Sequence, residues 1–151
     1  MVFSRQITQR HTSKSEFDVS KLDRVPRVDV ILVYQDAPGD LIKAAVDAGA
    51  KGLVIATAGA GATSGTQSEG LAYAAGKGVF VVNTTRTGSG RIAPSTHTPE
   101  QEGRMSDAAR QRARFTIAGE DHQPVKARIL LMLALAKTTD RAEIQRMFSE
   151  Y

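Results

Sequence analysis

The 151-residue chain has no cysteine and no tryptophan, and aromatic residues make up only 5% of it. The missing cysteine excludes disulfides, thiolate metal sites and a cysteine nucleophile, while leaving the cellular compartment open. No apolar run approaches the roughly 20 residues that a helix needs to cross a bilayer, so no membrane partner is expected. The opening Met1-Val2-Phe3-Ser4-Arg5-Gln6 leads into no apolar stretch. No signal peptide is therefore expected, which favours a cytoplasmic chain or a fragment of something longer. Histidine is also scarce: His11, His97 and His122 lie far apart, in no H-x-x-x-H or E-x-x-H spacing. No metal site is expected, and each histidine is assigned to the surface. The net charge of +4 comes mostly from arginine, spread through the first 27 residues and again from Arg104 to Arg114. Nucleic-acid surfaces combine clustered basic residues with stacking aromatics. Here the aromatics are missing, so the basic residues read as a solvated face and no nucleic-acid partner is expected.

What is present is an alternation of apolar runs and alanine-rich stretches. Residues 1–26 lack helix or strand periodicity and read as an arm or linker with one docking segment, anchored by Phe17, Val19 and Leu22. Val28 to Tyr34 is nearly continuous in apolar content, as in a buried parallel strand. Pro38 suits the first turn of a helix whose inner stripe is Leu41, Ala44, Ala45 and Ala48, with Gly49 as its C-terminal cap. Gly52 to Ala56 reads as a second strand, parallel to the first through a right-handed crossover. Leu71, Ala74 and Ala75 mark a second helix ending near Gly76 or Gly78, and Val79 to Val82 a third strand.

Asn83 to Arg112 is then a long polar connection, of the kind that is functional or disordered. Arg114 to Ala118 follows as a short edge strand. Pro124 opens a helix with little polar face, expected to be deeply buried. Asp140 and Glu143 form a capping-box pattern ahead of the stripe Ile144, Met147, Phe148 and Tyr151. The whole predicts a doubly wound, flavodoxin-like α/β sheet of about four parallel strands with helices on both faces.

In such a sheet ligands sit outside the carboxyl ends of the strands. The loop Gly59-Ala60-Gly61-Ala62-Thr63-Ser64-Gly65 follows the second strand there, and its small residues permit close approach. Its glycine spacing invites a dinucleotide reading, but it follows the second strand rather than the first. No acidic residue ends the next strand, where Val82 runs into Asn83 and Thr84. Thr57, Thr63, Ser64, Thr84 and Thr85 lie at predicted strand ends, where a hydroxyl with a neighbouring base could act as a nucleophile. Thr84-Thr85-Arg86-Thr87-Gly88 reads either as an anion site or as a turn whose arginine pairs with a carboxylate.

Several segments together resemble one family, the bacterial-type L-asparaginases and glutaminase-asparaginases. They are Arg10-His11-Thr12-Ser13, Phe17-Asp18-Val19-Ser20-Lys21-Leu22 with Pro26, Ala45-Val46-Asp47-Ala48-Gly49, the Gly59-x-Gly61 loop and Thr85-Arg86-Thr87-Gly88-Ser89-Gly90. Lys126 to Leu135 and Ile144-Gln145-Arg146-Met147-Phe148-x-x-Tyr151 complete the set. The resemblance covers the family's inter-domain linker, as residues 1–26, and its smaller C-terminal domain, as residues 27–151. It implies hydrolysis of a side-chain amide through a threonine acyl-enzyme, with that threonine on an N-terminal domain. Neither Thr-Gly-Gly-Thr nor His-Gly-Thr-Asp occurs here, so no catalytic residue is assigned to this chain.

The family's C-terminal domain holds the substrate's α-amino group in a neighbouring subunit's active site. It does so with a polar residue of the glycine loop and a glutamate of the loop after the third strand. The first position falls on Ala62, with Thr63 and Ser64 adjacent; the second is assigned to Glu100 and Glu102. That second loop is about ten residues longer than the family pattern, and the arginine-rich 104–114 run has no family counterpart. The resemblance further implies an N-terminal partner domain, a tetramer built as a dimer of intimate dimers and a small amino-acid amide substrate. It implies no cofactor, and it allows a periplasmic parent enzyme. The rival reading is a non-catalytic α/β binding or scaffold module.

Overall fold

A computed structural model describes residue 13 and residues 15–20, 22–96 and 98–151. His11, His97 and the Arg10-His11-Thr12 segment lie outside the described residues. Four strands form one parallel sheet in the order β1-β2-β3-β4: β1 (Val28–Leu32), β2 (Gly52–Thr57), β3 (Phe80–Thr85) and β4 (Thr116–Ala118). Helices α1 (Asp40–Asp47) and α2 (Gln67–Gly76) connect the first three strands. Helices α3 (Pro99–Arg104) and α4 (Asp107–Phe115) lie between β3 and β4, and α5 (Pro124–Lys137) and α6 (Arg141–Glu150) follow. The expected α/β architecture of four parallel strands with helices on both faces is the one observed. No helix among the described residues is long and apolar enough to cross a membrane.

Strand alternation divides the core in two. Val54, Val82 and Ile117 face α5 and α6, where they meet Leu131, Ile144, Met147 and Phe148. Leu53, Ile55 and Val81 face the other way, onto Ile42, Ala45, Val46 and Ala74 of α1 and α2. The register sets Leu53 beside Val81 and Val82 beside Ile117, so each face presents continuous apolar rows. β2 is buried at every position, as its unbroken apolar run requires of a central strand.

Several expectations are corrected by position in the sheet. β1 is an edge strand and stops at Leu32; Val30 and Leu32 remain 38% and 51% exposed, so it is not the buried strand its composition implied. The buried stripe of α1 is Ile42, Ala45 and Val46, one position on from the predicted Leu41, Ala44, Ala45 and Ala48, and Leu41 faces solvent. Pro38 precedes the N-cap residue Gly39 rather than occupying the first turn. At the other end the glycine cap is real: Gly49 adopts φ +91°, its N–H donates to Val46 O, and Ala50 N–H donates to Ala45 O. These two bonds close the helix as a Schellman motif.

α5 buries Ala127, Leu130, Leu131 and Ala134 but exposes Val125 and Ile129, so it is covered on one face only. Asp140 caps α6 by accepting the N–H groups of Ala142 and Glu143. The return half of the expected box is missing, because Thr138 Oγ1 takes the Asp140 N–H and Glu143 turns to Arg146. Arg114 and Phe115 belong to α4, leaving only Thr116–Ala118 as the edge strand β4.

Of the arm, Glu16 and Phe17 dock onto α5 and α6. The Phe17 ring lies 5.0 Å from Tyr151, and Glu16 N–H donates to the Tyr151 hydroxyl at 2.9 Å. The Glu16 carboxylate pairs with Lys137 and Arg146. Burial disfavours its charge, yet hydrogen bonds from those two cations outweigh burial and hold its carboxyl below the usual carboxylate range. Val19, expected as an anchor, is exposed.

Candidate functional site

Because all four strands are parallel, the loops after β2 and β3 rise from the same end of the sheet. The glycine loop is fastened there by its own hydroxyls and amides. Thr57 Oγ1 is buried; it lies 2.8 Å from Thr84 O, to which it donates, and accepts the Gly61 N–H at 3.2 Å. Ser64 Oγ accepts the Asp36 N–H and Thr66 Oγ1 accepts the Gly39 N–H, each at 2.9 Å. Gln67, buried, donates to Leu32 O and accepts the Ser64 N–H. The loop is thus stitched to the β1–α1 connection. Gly65 makes the fit possible: it adopts φ +50°, and a Cβ there would stand 2.5 Å from Ala37 O.

The loop after β3 is pinned further along. Ile92 and Glu120 form an antiparallel bridge, with N–H to O distances of 2.9 and 3.0 Å. The Glu120 carboxylate, 1% exposed, pairs with Arg91 and accepts the Ser149 hydroxyl. The Arg91 guanidinium is held even more firmly in its charged form by that hydrogen bond and charge. Thr98 then opens α3 with a reciprocal capping box, its hydroxyl taking the Gln101 N–H while the Gln101 side chain takes the Thr98 N–H. Ser106 caps α4 by accepting the Ala109 N–H.

These elements enclose a cleft of about 680 Å³ between the β3–β4 end of the sheet, α2 and α4. Of the five predicted site residues, Thr63 and Glu102 line it together. Ala62 is exposed and lies outside the lining, and Ser64 is turned to the β1–α1 connection. Glu100 also lies outside it, on the exposed first turn of α3. There the Thr98 hydroxyl and its own N–H hold its carboxyl below the usual range.

The other strand-end hydroxyls serve the backbone. Thr84 Oγ1 donates to Ile55 O, and Thr85 Oγ1 meets Thr87 Oγ1 at 2.8 Å and accepts the Thr87 N–H. Among the described residues, no strand-end hydroxyl is hydrogen-bonded to a histidine or a carboxylate. Arg86 heads a turn, as one reading had it, but pairs with no carboxylate among the described residues. His122, assigned to the surface by sequence, instead packs 5.5 Å from the Phe148 ring and is mostly buried.

Two features of the cleft were not anticipated. The polar stretch expected to be a long connection contains α3 and α4, and α4 carries Arg110, Arg112 and Arg114 to the cleft. Its start was written in the sequence as Ser106-Asp107, and that of α3 as Thr98-Pro99-Glu100-Gln101. Asn83 also lines the cleft, and its buried Oδ1 has no hydrogen-bond partner.

Comparison with known proteins adds a family. The profile described as Glutaminase/Asparaginase C-terminal domain matches residues 27–148. "L-asparaginase 2" of Bacillus subtilis (strain 168) is 42% identical over 149 residues, covering 99% of this chain and 36% of that protein. "Glutaminase-asparaginase" of Pseudomonas fluorescens biotype A is 33% identical over 143 residues, covering 95% of this chain and 37% of that protein. The crystal structure of a probable cytoplasmic L-asparaginase from Campylobacter jejuni superposes with a TM-score of 0.80 at 36% identity, covering 99% of this chain and 45% of that one. The chain therefore spans less than half the length of these relatives.

Proposed function

The chain belongs to the glutaminase/asparaginase C-terminal domain family, and we propose that it supplies the substrate-amine side of an L-asparaginase-like active site. The reaction is L-asparagine plus water to L-aspartate plus ammonia. A threonine hydroxyl on an N-terminal domain attacks the amide carbon and ammonia leaves; water then releases the acyl group. Thr63 and Glu102 hold the substrate's ammonium, the carboxylate by a charge-assisted hydrogen bond and the hydroxyl as an acceptor. Ser64 holds the loop that carries Thr63 by accepting the Asp36 N–H, and Ala62 and Glu100 flank the two binding residues in sequence. Residues 1–26 are the linker to the partner domain, and residues 27–151 are the α/β domain itself. Copies assemble as a homo-oligomer so that one subunit's cleft faces its neighbour's nucleophile. The exposed Val30 and Leu32 of β1, with Tyr34 just beyond it, offer apolar surface for such contacts.

The observation that supports this reading is that Thr63 and Glu102 both line one cleft at the carboxyl ends of the strands. Beside it, the strand-end hydroxyls have no base among the described residues, which suits a binding half rather than a reacting half. Ammonia release from asparagine and glutamine, with the chain alone and with a separately expressed N-terminal domain, tests it. No release alone and release on mixing are expected. In the mixture, Glu102→Gln should lower kcat/KM by about tenfold through loss of the ion pair. Ammonia released by the chain alone would overturn the assignment of roles, and failure to associate would favour the scaffold module.

A further inference from the structure

Among the described residues, two that are not glycine adopt a left-handed backbone: Asp36 at φ +55° and Glu120 at φ +56°. A side chain disfavours that conformation, which persists where the surroundings impose it. Both residues hold the glycine loop. Asp36 N–H donates to Ser64 Oγ at 2.9 Å, from the β1–α1 side. Glu120 acts from the β4 side, through Ile92. Its N–H donates to Ile92 O at 3.0 Å, and Ile92 N–H donates to Glu120 O at 2.9 Å. The Ile92 side chain reaches the loop, since a Cβ placed on Gly61 would stand 4.0 Å from Ile92 Cδ1. Glu120 is also the one charged residue among the described residues that is buried. Arg91 and the Ser149 hydroxyl supply the partners of its carboxylate, and Arg91 does so from the surface, 57% exposed. Gly119, just before, donates its N–H to Asn83 O at 2.9 Å, and a Cβ there would stand 2.5 Å from the same oxygen. The bridge is therefore fixed to the end of β3. From Ile92 onward the chain forms one wall of the cleft: Ile92, Ala93, Ser95 and Glu102 line it, facing Gly61 and Thr63 of the glycine loop.

We propose that Arg91 and Glu120 are positioning residues for this site: their ion pair clamps Ile92 against the glycine loop and fixes Thr63 relative to the wall that carries Glu102. Neither touches the substrate. Stability alone does not call for the arrangement, because a buried ion pair is often no more stabilising than apolar packing of the same volume. What the pair supplies is one orientation. A carboxylate tied to Arg91 and Ser149 holds the left-handed turn, and the turn admits one place for Ile92. That the clamped residues bind a substrate ammonium rests on the amide-hydrolysis reading; the clamping itself is a property of this chain.

Three variants test it. Arg91→Gln/Glu120→Gln removes both charges together and so leaves no unpaired carboxylate inside. Arg91→Lys keeps the charge. Ile92→Ala keeps the ion pair but removes the side chain that reaches Gly61, and it keeps the test decisive if the double variant does not fold. In amide exchange of the chain alone, Gly61 and Ser64 should exchange about tenfold faster in the double variant and in Ile92→Ala, while Arg91→Lys stays near the wild type. In the mixture with the N-terminal domain, the same two variants should raise KM for asparagine about tenfold and change kcat by less than about twofold. Arg91→Lys should keep KM near the wild-type value. Simple loss of folded protein would do the reverse, lowering kcat and leaving KM. Unchanged exchange at Gly61 and Ser64, or a fall in kcat at constant KM, would overturn the proposal. A wild-type mixture that releases no ammonia would overturn the hydrolysis reading instead, and exchange at Gly61 and Ser64 would then decide whether the clamp holds the loop.

Discussion

One sheet carries two very different covers. On one face α5 and α6 bury Leu130, Leu131, Ile144, Met147 and Phe148 against Val54, Val82 and Ile117. At the far edge of the other face, α4 contributes no buried residue, turns Ala109 and Ala113 inward and leaves the cleft beneath it open. Strand alternation supplies apolar side chains to both faces equally, so the difference lies in the helices. Large apolar side chains seal a face; small ones flanked by arginines hold a helix in place without filling what lies below. The lesson is a division of labour. The α5–α6 and α1–α2 layers carry the buried core, and α4 adds no buried residue to it.

The largest effect should come from emptying the sealed face. Phe148→Ala removes a fully buried ring and should cost about 3–5 kcal/mol, read as a lower urea midpoint. Met105→Ala, beside α4, should cost less, about 1–2 kcal/mol, because its side chain is only partly buried. Equal losses would break the comparison. Next in size is the glycine loop, which joins the two regions. Gly65→Ala would place a Cβ against Ala37 O in a left-handed backbone, at about 1–3 kcal/mol. Its damage should show first in hydrogen exchange of residues 36–39 and 58–66 rather than in α5 or α6.

The docked arm sharpens the comparison from the sealed side. Folding lowers the Glu16 pKa, so its ion pairs stabilise the native state fully above the ordinary value of 4.5. That contribution fades as the pH falls through the depressed folded value. Glu16→Gln should therefore cost about 1 kcal/mol at neutral pH. The gap between the two proteins should narrow in acid, followed by denaturation at a series of pH values. A gap that widened in acid would mean that Lys137 and Arg146 do not hold the carboxylate.

Legibility in the sequence follows the same division. The central strand β2, the Gly49 cap, Pro124 at the start of α5 and the Asp140 cap all rest on local chemistry, and each is found where the residues place it; β3 starts one residue later than read and runs on to Thr85, into the stretch read as a connection. What depends on neighbours was not legible. The apolar content of β1 does not reveal that its outer edge lacks a partner strand. In α1, alanine and leucine offered one stripe and Ile42 with Val46 another; only packing against β1 to β3 chose between them. For α4 the apolar period was too weak to see, since its inner positions are alanines among arginines. Its cap residue was the surviving signal. That Thr63 and Glu102 line one cleft, and that Asn83 Oδ1 is buried without a partner, are products of tertiary placement alone.

That surviving signal gives the smallest and most local test. Ser106 Oγ accepts the Ala109 N–H at 3.2 Å, and Asp107 in the first turn suits the positive helix end. Ser106→Ala should weaken α4 by about 1 kcal/mol. If α4 opens independently of the sealed layer, as its lack of buried residues implies, the global urea midpoint should barely move. Cleavage after the arginines of residues 104–114 by trypsin should instead rise severalfold under native conditions. A drop in the global midpoint matching the local loss would place α4 in the same cooperative unit as α5 and α6. The contrast between a sealed layer and an open one would then be a matter of composition rather than of energy.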